Sequence, residues 1–227
     1  MEPLILLHGA LGSSAQLAPL RQLLSQQYDV HALDFPGHGG TPLPDHFSIP
    51  SFANRVQQYC EEKNLHQVSI FGYSMGGYVA LYLALQAPQL VRRIITLATK
   101  FQWDEPTATK EVKMLQPELI EQKVPQFARA LEERHAPTGW KDVLLRTAGL
   151  LTSLGETPLL IPEHYRQVSC PCLLMLGDRD KMVSLEETAA VYHQLPQGQL
   201  AVLPNTSHPL DAVAPERLSY MIRQALQ

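Results

Sequence analysis

The sequence predicts an α/β protein built on a doubly wound, mostly parallel six-stranded sheet flanked by helices, with a helical segment inserted after the fourth strand. Three observations predict it. Short runs rich in Val, Ile and Leu alternate with longer helix-like runs through residues 3–98, and the alternation resumes from Cys172 to Ala225. Between about 100 and 167 it stops, and helical segments there are interrupted by Pro106, Pro117, Pro125, Pro137, Pro158 and Pro162. Finally, Gly72-x-Ser74-x-Gly76 falls where the strand-like Val68-Ser69-Ile70-Phe71 meets the helix-like Tyr78–Leu85. A serine on a strand-to-helix turn is exposed above a sheet edge, and glycines on either side leave room for the turn.

Pro3–Leu7 reads as the first strand and His8–Ser14 as a glycine-rich loop, followed by a helix over Ala15–Gln26. Tyr28–Leu33 is the second strand, and Pro42, Pro44 and Pro50 mark an irregular connection to a helix ending near Lys63. Gln67–Phe71 leads into the serine turn and its helix, which ends around Pro88; Val91–Ala98 is the fourth strand. Cys172–Leu176 is the fifth. Ser184-Leu185-Glu186-Glu187 opens a helix with acids where the helix dipole favours them. Gln199–Leu203 is the last strand and Pro215–Ala225 the closing helix.

Composition narrows the function. With 227 residues, 45% hydrophobic and 18% charged, the chain is long enough for one well-buried domain. A net charge of -4 provides no basic field for nucleic acid or an anionic membrane surface. The N-terminal Met1-Glu2-Pro3-Leu4 lacks a basic leader, no run is long enough to span a bilayer, and a cytoplasmic location is expected. Cys60, Cys170 and Cys172 form neither a disulfide framework nor a zinc pattern, so a reducing setting is expected. Cys170-Pro171-Cys172 reads as a structural lead into a strand. No metal or cofactor is expected, because the chain lacks H-E-x-x-H, a phosphate loop and a dinucleotide fingerprint.

Four separated segments carry a family resemblance: Leu6-Leu7-His8-Gly9-Ala10-Leu11-Gly12, Asp34-Phe35-Pro36-Gly37-His38-Gly39, Gly72-Tyr73-Ser74-Met75-Gly76-Gly77, and Gly177-Asp178-Arg179-Asp180 with Ser207-His208 later. In this order they resemble the α/β-hydrolase fold family, here without its leading hairpin. The resemblance implies one domain, 1–227, with a core at 1–99 and 168–227 and a helical cap at about 100–167. It implies a nucleophile at Ser74, an acid at Asp180, and a base at His208. The backbone amides of Ala10 and Met75 would form the oxyanion hole. Asp178 competes for the acid, but family spacing favours Asp180. His38 reads as a hydrogen-bonded turn residue.

The order Ser, acid, His suits one chemistry. A serine hydroxyl is a weak nucleophile until a base takes its proton; imidazole can take and return it near neutral pH, and the carboxylate fixes its tautomer. Leu11, Tyr73, Trp103 and Trp140 are candidates for the substrate pocket, and Phe101, Leu150, Leu151 and Leu154 could join them from the cap. The expected activity is hydrolysis of a small ester or thioester, with a small molecule as the only partner. An alternative is a lyase or C–C bond hydrolase similar to the menaquinone-pathway enzymes that eliminate pyruvate; they commonly carry Arg after the Gly-Gly, where this chain has Tyr78. A ligand receptor without turnover is a third reading. Oligomeric state is not readable from the sequence.

Overall fold

A strand that is apolar at every position must be covered on both faces, and that requirement organises the molecule. The computed structural model describes residues 1–227. Its strands are β1 (Glu2–Leu7), β2 (Tyr28–Leu33), β3 (Val68–Tyr73), β4 (Val91–Leu97), β5 (Cys172–Gly177) and β6 (Gly198–Leu203). They form one sheet in the order β2-β1-β3-β4-β5-β6, and every pairing is parallel. The chain therefore winds outward from β1 to β2, then returns to the other side of β1 through β3. The carboxyl ends of β1 and β3 flank this reversal, where open α/β sheets leave a crevice for ligands.

The helices of the flanking layers are α1 (Ala18–Leu24), α2 (Ile49–Glu62) and α3 (Met75–Gln86). Successive side chains of β1 serve opposite faces. Leu4 and Leu6 pack with Leu17, Leu20 and Leu24 on one side; Ile5 and Leu7 pack with Phe52, Val56 and Val79 on the other. All four β1 leucine and isoleucine side chains are fully buried, each contributing about 1.5–3 kcal/mol of transfer free energy. The expected helix from Ala15 to Gln26 divides into a 3-10 turn over Ser14–Leu17 and then α1. Pro19 explains the division, since a proline fits only the first turn of an α-helix.

Between β4 and β5 lie α4 (Glu105–Val112), α5 (Pro117–Lys123), α6 (Pro125–His135), α7 (Trp140–Glu156) and α8 (Pro162–Tyr165). Most of the prolines in this stretch start helices rather than break them: Pro106, Pro117, Pro125 and Pro162 all occupy a first or second helical position. The chain closes with α9 (Leu185–Tyr192) and α10 (Pro215–Leu226).

The inserted helices share a core with the sheet. One cluster of 41 buried residues runs from Ile5, Ile70 and Val79 into Leu131, Trp140, Val143 and Leu154, whereas the opposite face holds a separate cluster of 17. Tyr78 on α3 is a polar tie within the larger cluster. It is 2% exposed, and its hydroxyl accepts from the Leu160 N–H at 3.0 Å. Burial pushes that phenol up to about 12 against the opposing pull of the Leu160 and Leu159 backbone, so it stays neutral. Tyr78→Phe should therefore destabilise the protein by about 1–3 kcal/mol in urea unfolding, the cost of an unmet buried N–H. An unchanged midpoint would show that the tie carries no stability.

Candidate active site

Ser74 sits between β3 and α3 with φ 51° and ψ −117°, a left-handed backbone that costs a non-glycine residue about 1–3 kcal/mol. Neighbouring bonds hold it there. Its N–H donates to Leu97 O at 2.8 Å, and its carbonyl accepts from Gly77 N–H and Thr99 Oγ1, both at 3.0 Å. Gly72 and Gly76 are required by close approach. A Cβ on Gly72 would overlap the Gly76–Gly77 backbone, and one on Gly76 would lie 2.6 Å from Leu7 O. Without these contacts α3 could not start against the end of β1.

His208 lies in the loop after β6 and Asp180 in the loop after β5. His208 Nδ1 is 2.8 Å from Asp180 Oδ2, while Asp180 Oδ1 accepts from the Met182 and Val183 N–H groups at 2.8 and 2.9 Å. Burial would push the Asp180 carboxyl up, but these hydrogen bonds, led by the one to His208, hold it below its usual value. The carboxylate thus holds Nδ1, and Nε2 has no hydrogen-bond partner in the chain. Asp178 has a different partner, accepting from Thr206 N–H at 3.1 Å, and so fixes the start of the histidine loop. Tyr73 Oη donates to His208 O at 3.1 Å from the other side. Ser74 and His208 line the same cleft without a direct hydrogen bond between their side chains.

Ala10 and Met75 also line this cleft, and neither backbone N–H donates to another group of the chain. Met75 opens α3, so its amide stands at the positive end of the helix dipole. The loop bearing Ala10 is braced from beneath by buried histidine. His8, 1% exposed, accepts from Phe35 N–H with Nε2 at 3.1 Å, so Nδ1 carries the proton donated to Gly9 O at 2.7 Å. Burial pushes its imidazole down to about 4, against the Gly9 carbonyl and Asp34 carboxylate, which pull it up. Asp34 accepts from both Ser14 N–H and Ser14 Oγ at 2.7 Å.

Two further buried histidines continue this support. His135 of α6 accepts from Gly39 N–H at 3.2 Å and places Nε2 3.0 Å from Leu11 O, which also accepts from Arg134 at 2.7 Å. Helix α6 therefore grips the loop after β1 directly. His38 is a hydrogen-bonded turn residue, as expected: its N–H donates to Phe35 O at 2.9 Å, its carbonyl accepts from Thr41 N–H and Oγ1, and its ring Nδ1 lies 3.4 Å from Pro36 O. Its Nε2 has no partner, and the ring packs among Phe35, Phe47, Phe52 and His8. Burial lowers both His38 and His135.

Of the four pocket candidates, only Trp103 lines the cleft. Leu11 turns its side chain into the core with φ 57° and offers its carbonyl to α6. Tyr73 is occupied beside His208, and Trp140 is a 6% exposed core residue. Leu150, Leu151 and Leu154 line the cleft as expected for the cap face, whereas Phe101 packs away from it against Tyr165. The sequence reading missed Ile49, Tyr78, Lys100, Glu111, Met182 and Val183. Tyr78, one helical turn after Ser74, had a usable positional signal; Glu111 had none. No three His, Cys, Asp or Glu side chains converge anywhere to hold a metal ion.

This geometry agrees with what the chain is similar to. The family model for the alpha/beta hydrolase fold matches residues 2–147, more than half the sequence, and the chain belongs to that family. It is 26% identical over 240 residues to the (E)-2-((N-methylformamido)methylene)succinate hydrolase of Acinetobacter baylyi, covering 100% of this chain and 89% of that protein. It is 27% identical to the pimeloyl-[acyl-carrier protein] methyl ester esterase of Vibrio campbellii, covering 90% and 87%. A thermophilic esterase from Thermogutta terrifontis superposes with a TM-score of 0.81 at 22% identity, covering 100% of this chain and 89% of its own, and shows the same fold. The protein is an α/β-hydrolase-fold enzyme. No helix in it is long and apolar enough to cross a membrane.

The buried histidines set a pH dependence. A group whose folded value is depressed binds fewer protons folded than unfolded, so stability rises with pH through the gap between the two values. For His8 that window runs from the ordinary 6.5 down to about 4, and its contribution is lost as pH falls through it. The shift corresponds to about 3 kcal/mol. His38 and His135 act in the same direction, and so does Asp180 at more acid pH. Between pH 6.5 and 4 the wild type should lose about 3 kcal/mol more than His8→Asn in chemical denaturation. Parallel curves for the two proteins would rule out a buried neutral His8.

Proposed function

We propose that the protein is a serine hydrolase that cleaves a short carboxylic ester or thioester through an acyl-enzyme. The strained Ser74, held at the mouth of α3 in one cleft with His208, carries this reading; strain of that size persists where function uses it. Ser74 Oγ attacks the carbonyl carbon as His208 Nε2 takes its proton. The Ala10 and Met75 amides stabilise the resulting oxyanion, a pair in which each donor is worth about 2.7–4 kcal/mol of barrier. The oxyanion collapses, the leaving alcohol or thiol departs with the proton from His208, and Ser74 remains acylated. Water then attacks, giving its proton to His208, and the acid leaves as Ser74 recovers a proton. Asp180 stabilises the imidazolium in both halves without itself being protonated.

The cleft supports a short acyl or alcohol group. Its cavity volume of about 70 Å³ holds about five to seven waters at ~10–15 Å³ each. Apart from His208, Lys100 is the sole basic side chain lining it, and that ammonium is engaged by Met182 O at 2.7 Å. The position that would bear a substrate-binding arginine in the eliminating enzymes is filled by the buried, engaged Tyr78. Both observations weigh against elimination from a polyanion, and they weigh equally against carrying over the succinate named for the Acinetobacter relative.

Labelling with a fluorophosphonate probe, alongside turnover of short p-nitrophenyl esters, tests the reading. Wild-type protein should label and turn over; Ser74→Ala and His208→Ala should do neither at a measurable rate. Asp180→Asn should stay folded and lose about 10³–10⁴-fold in kcat, because the amide no longer fixes the imidazole tautomer. Folded wild-type protein that does not label would sink the assignment of Ser74 as nucleophile. Labelling without ester turnover would favour C–C bond cleavage or elimination.

A further inference from the structure

Lys100 and Glu111 stand together on the cleft wall, with Glu187 on the far side of Lys100. Lys100 Nζ lies 3.8 Å from Glu111 Oε1 and 3.7 Å from Glu187 Oε2, so one ammonium faces two carboxylates. Glu187 is fully employed: it accepts from the Phe101 N–H at 2.9 Å and from the Ser184 N–H at 3.2 Å. Glu111 is not. It lines the cleft, is only 9% exposed, and its carboxylate accepts no hydrogen bond from any group of the protein, the Lys100 ammonium lying 3.8 Å away.

Its carboxylate oxygens are reached through the cleft, so a ligand that fills the cleft displaces their water and must replace it with a donor of its own. Glu111 is also held in place. Its helix α4 is capped by Asp104, which accepts from the Thr107 N–H at 2.8 Å, and buries Ala108 against Gly155 of α7. The rest of this wall is apolar, with Ile49, Leu150, Leu151 and Leu154. An apolar lining with one carboxylate acceptor fits a short substrate bearing a polar group a few bonds from the scissile carbonyl. The sign of the local charge decides which polar group.

Resting on the hydrolase reading, we infer that Glu111 is a specificity-determining residue that selects esters bearing a hydroxyl or ammonium donor and rejects those bearing a second carboxylate. A donor on the substrate completes the hydrogen bonding of Glu111; an ammonium also offsets the excess negative charge. A second carboxylate would enter beside Glu111, with Glu187 on the far side of Lys100 and Asp180 behind His208 adding to the repulsion.

The test is a set of matched short esters that differ in one group, methyl, hydroxyl, ammonium or carboxylate, placed in turn on the acyl and on the alcohol side. In the wild type, kcat/KM should fall from the ammonium and hydroxyl esters through the methyl ester to the carboxylate ester. The carboxylate ester should lie at least about tenfold below the methyl ester. Glu111→Gln keeps the shape and removes the charge. With each ester's kcat/KM taken relative to the methyl ester in the same protein, it should narrow that gap about tenfold and abolish the ammonium preference. Should Glu111→Gln fail to fold, Lys100→Met alters the same balance and is expected to widen the gap.

Binding of the matched, uncleaved amides to Ser74→Ala protein, by NMR titration, reads the preference without chemistry. Charge-ordered amide binding that depends on Glu111, with no ester turnover, would leave the assignment of Glu111 standing and remove the hydrolase reading. Ester turnover with one common factor between wild type and Glu111→Gln across all four groups would overturn the assignment of Glu111 alone.

Discussion

The left-handed backbone at Ser74 is the constraint on which the rest of the architecture depends. To reverse direction in one residue, the chain must bring α3 back against β1 and β3, which leaves no room for a Cβ at Gly72 or Gly76. It must also anchor the strained peptide on both sides. The anchors come from β4 and the residues that follow it, through Leu97 O and Thr99 Oγ1. Parallel winding supplies the setting, because the return from β2 to β3 across β1 places two loops side by side at one sheet edge. One loop brings the free amide of Ala10; the other brings Ser74 and the free amide of Met75.

The loop bearing Ala10 is held from outside, and neutral imidazoles do this. Each of His8 and His135 accepts a backbone N–H with one ring nitrogen and faces a carbonyl with the other. Protonation would deprive Phe35 or Gly39 of its acceptor, so the arrangement requires neutral rings, and burial keeps them neutral. The same device couples the inserted helices to the chemistry. With Arg134 and His135 on the Leu11 carbonyl, movement of α6 would move the peptide chain beside Ala10. The inserted helices therefore brace the machinery as well as roofing the cleft.

The fold was legible because it is written in short-range pattern. Continuous apolar runs, glycines at a strand-to-helix turn and the long interruption after the fourth strand were enough to anticipate a six-stranded sheet, which proves parallel throughout. Ser74, Asp180 and His208 were legible as motifs, and the structure gathers them at one edge. The cleft lining was not. Aromatic side chains near the motifs looked like pocket walls, yet Tyr73 is taken up by the His208 loop and Trp140 by the shared core. Helical spacing reveals an apolar face but not whether a sheet, a neighbouring helix or a substrate covers it.

Glu111 shows where that limit lies. In sequence it is one of several charged residues on a short helix, and such charges usually point to water. Its burial arises because α4 packs on α7 across Gly155, whose missing side chain admits Ala108 and the backbone at Asp104. That contact joins residues some fifty positions apart and cannot be read from either helix alone. The strained turn at Ser74 depends on backbone geometry that local motifs encode, whereas the charge of the cleft depends on how one inserted helix packs on another. Two chains of this family can therefore share the first almost residue for residue and differ entirely in the second.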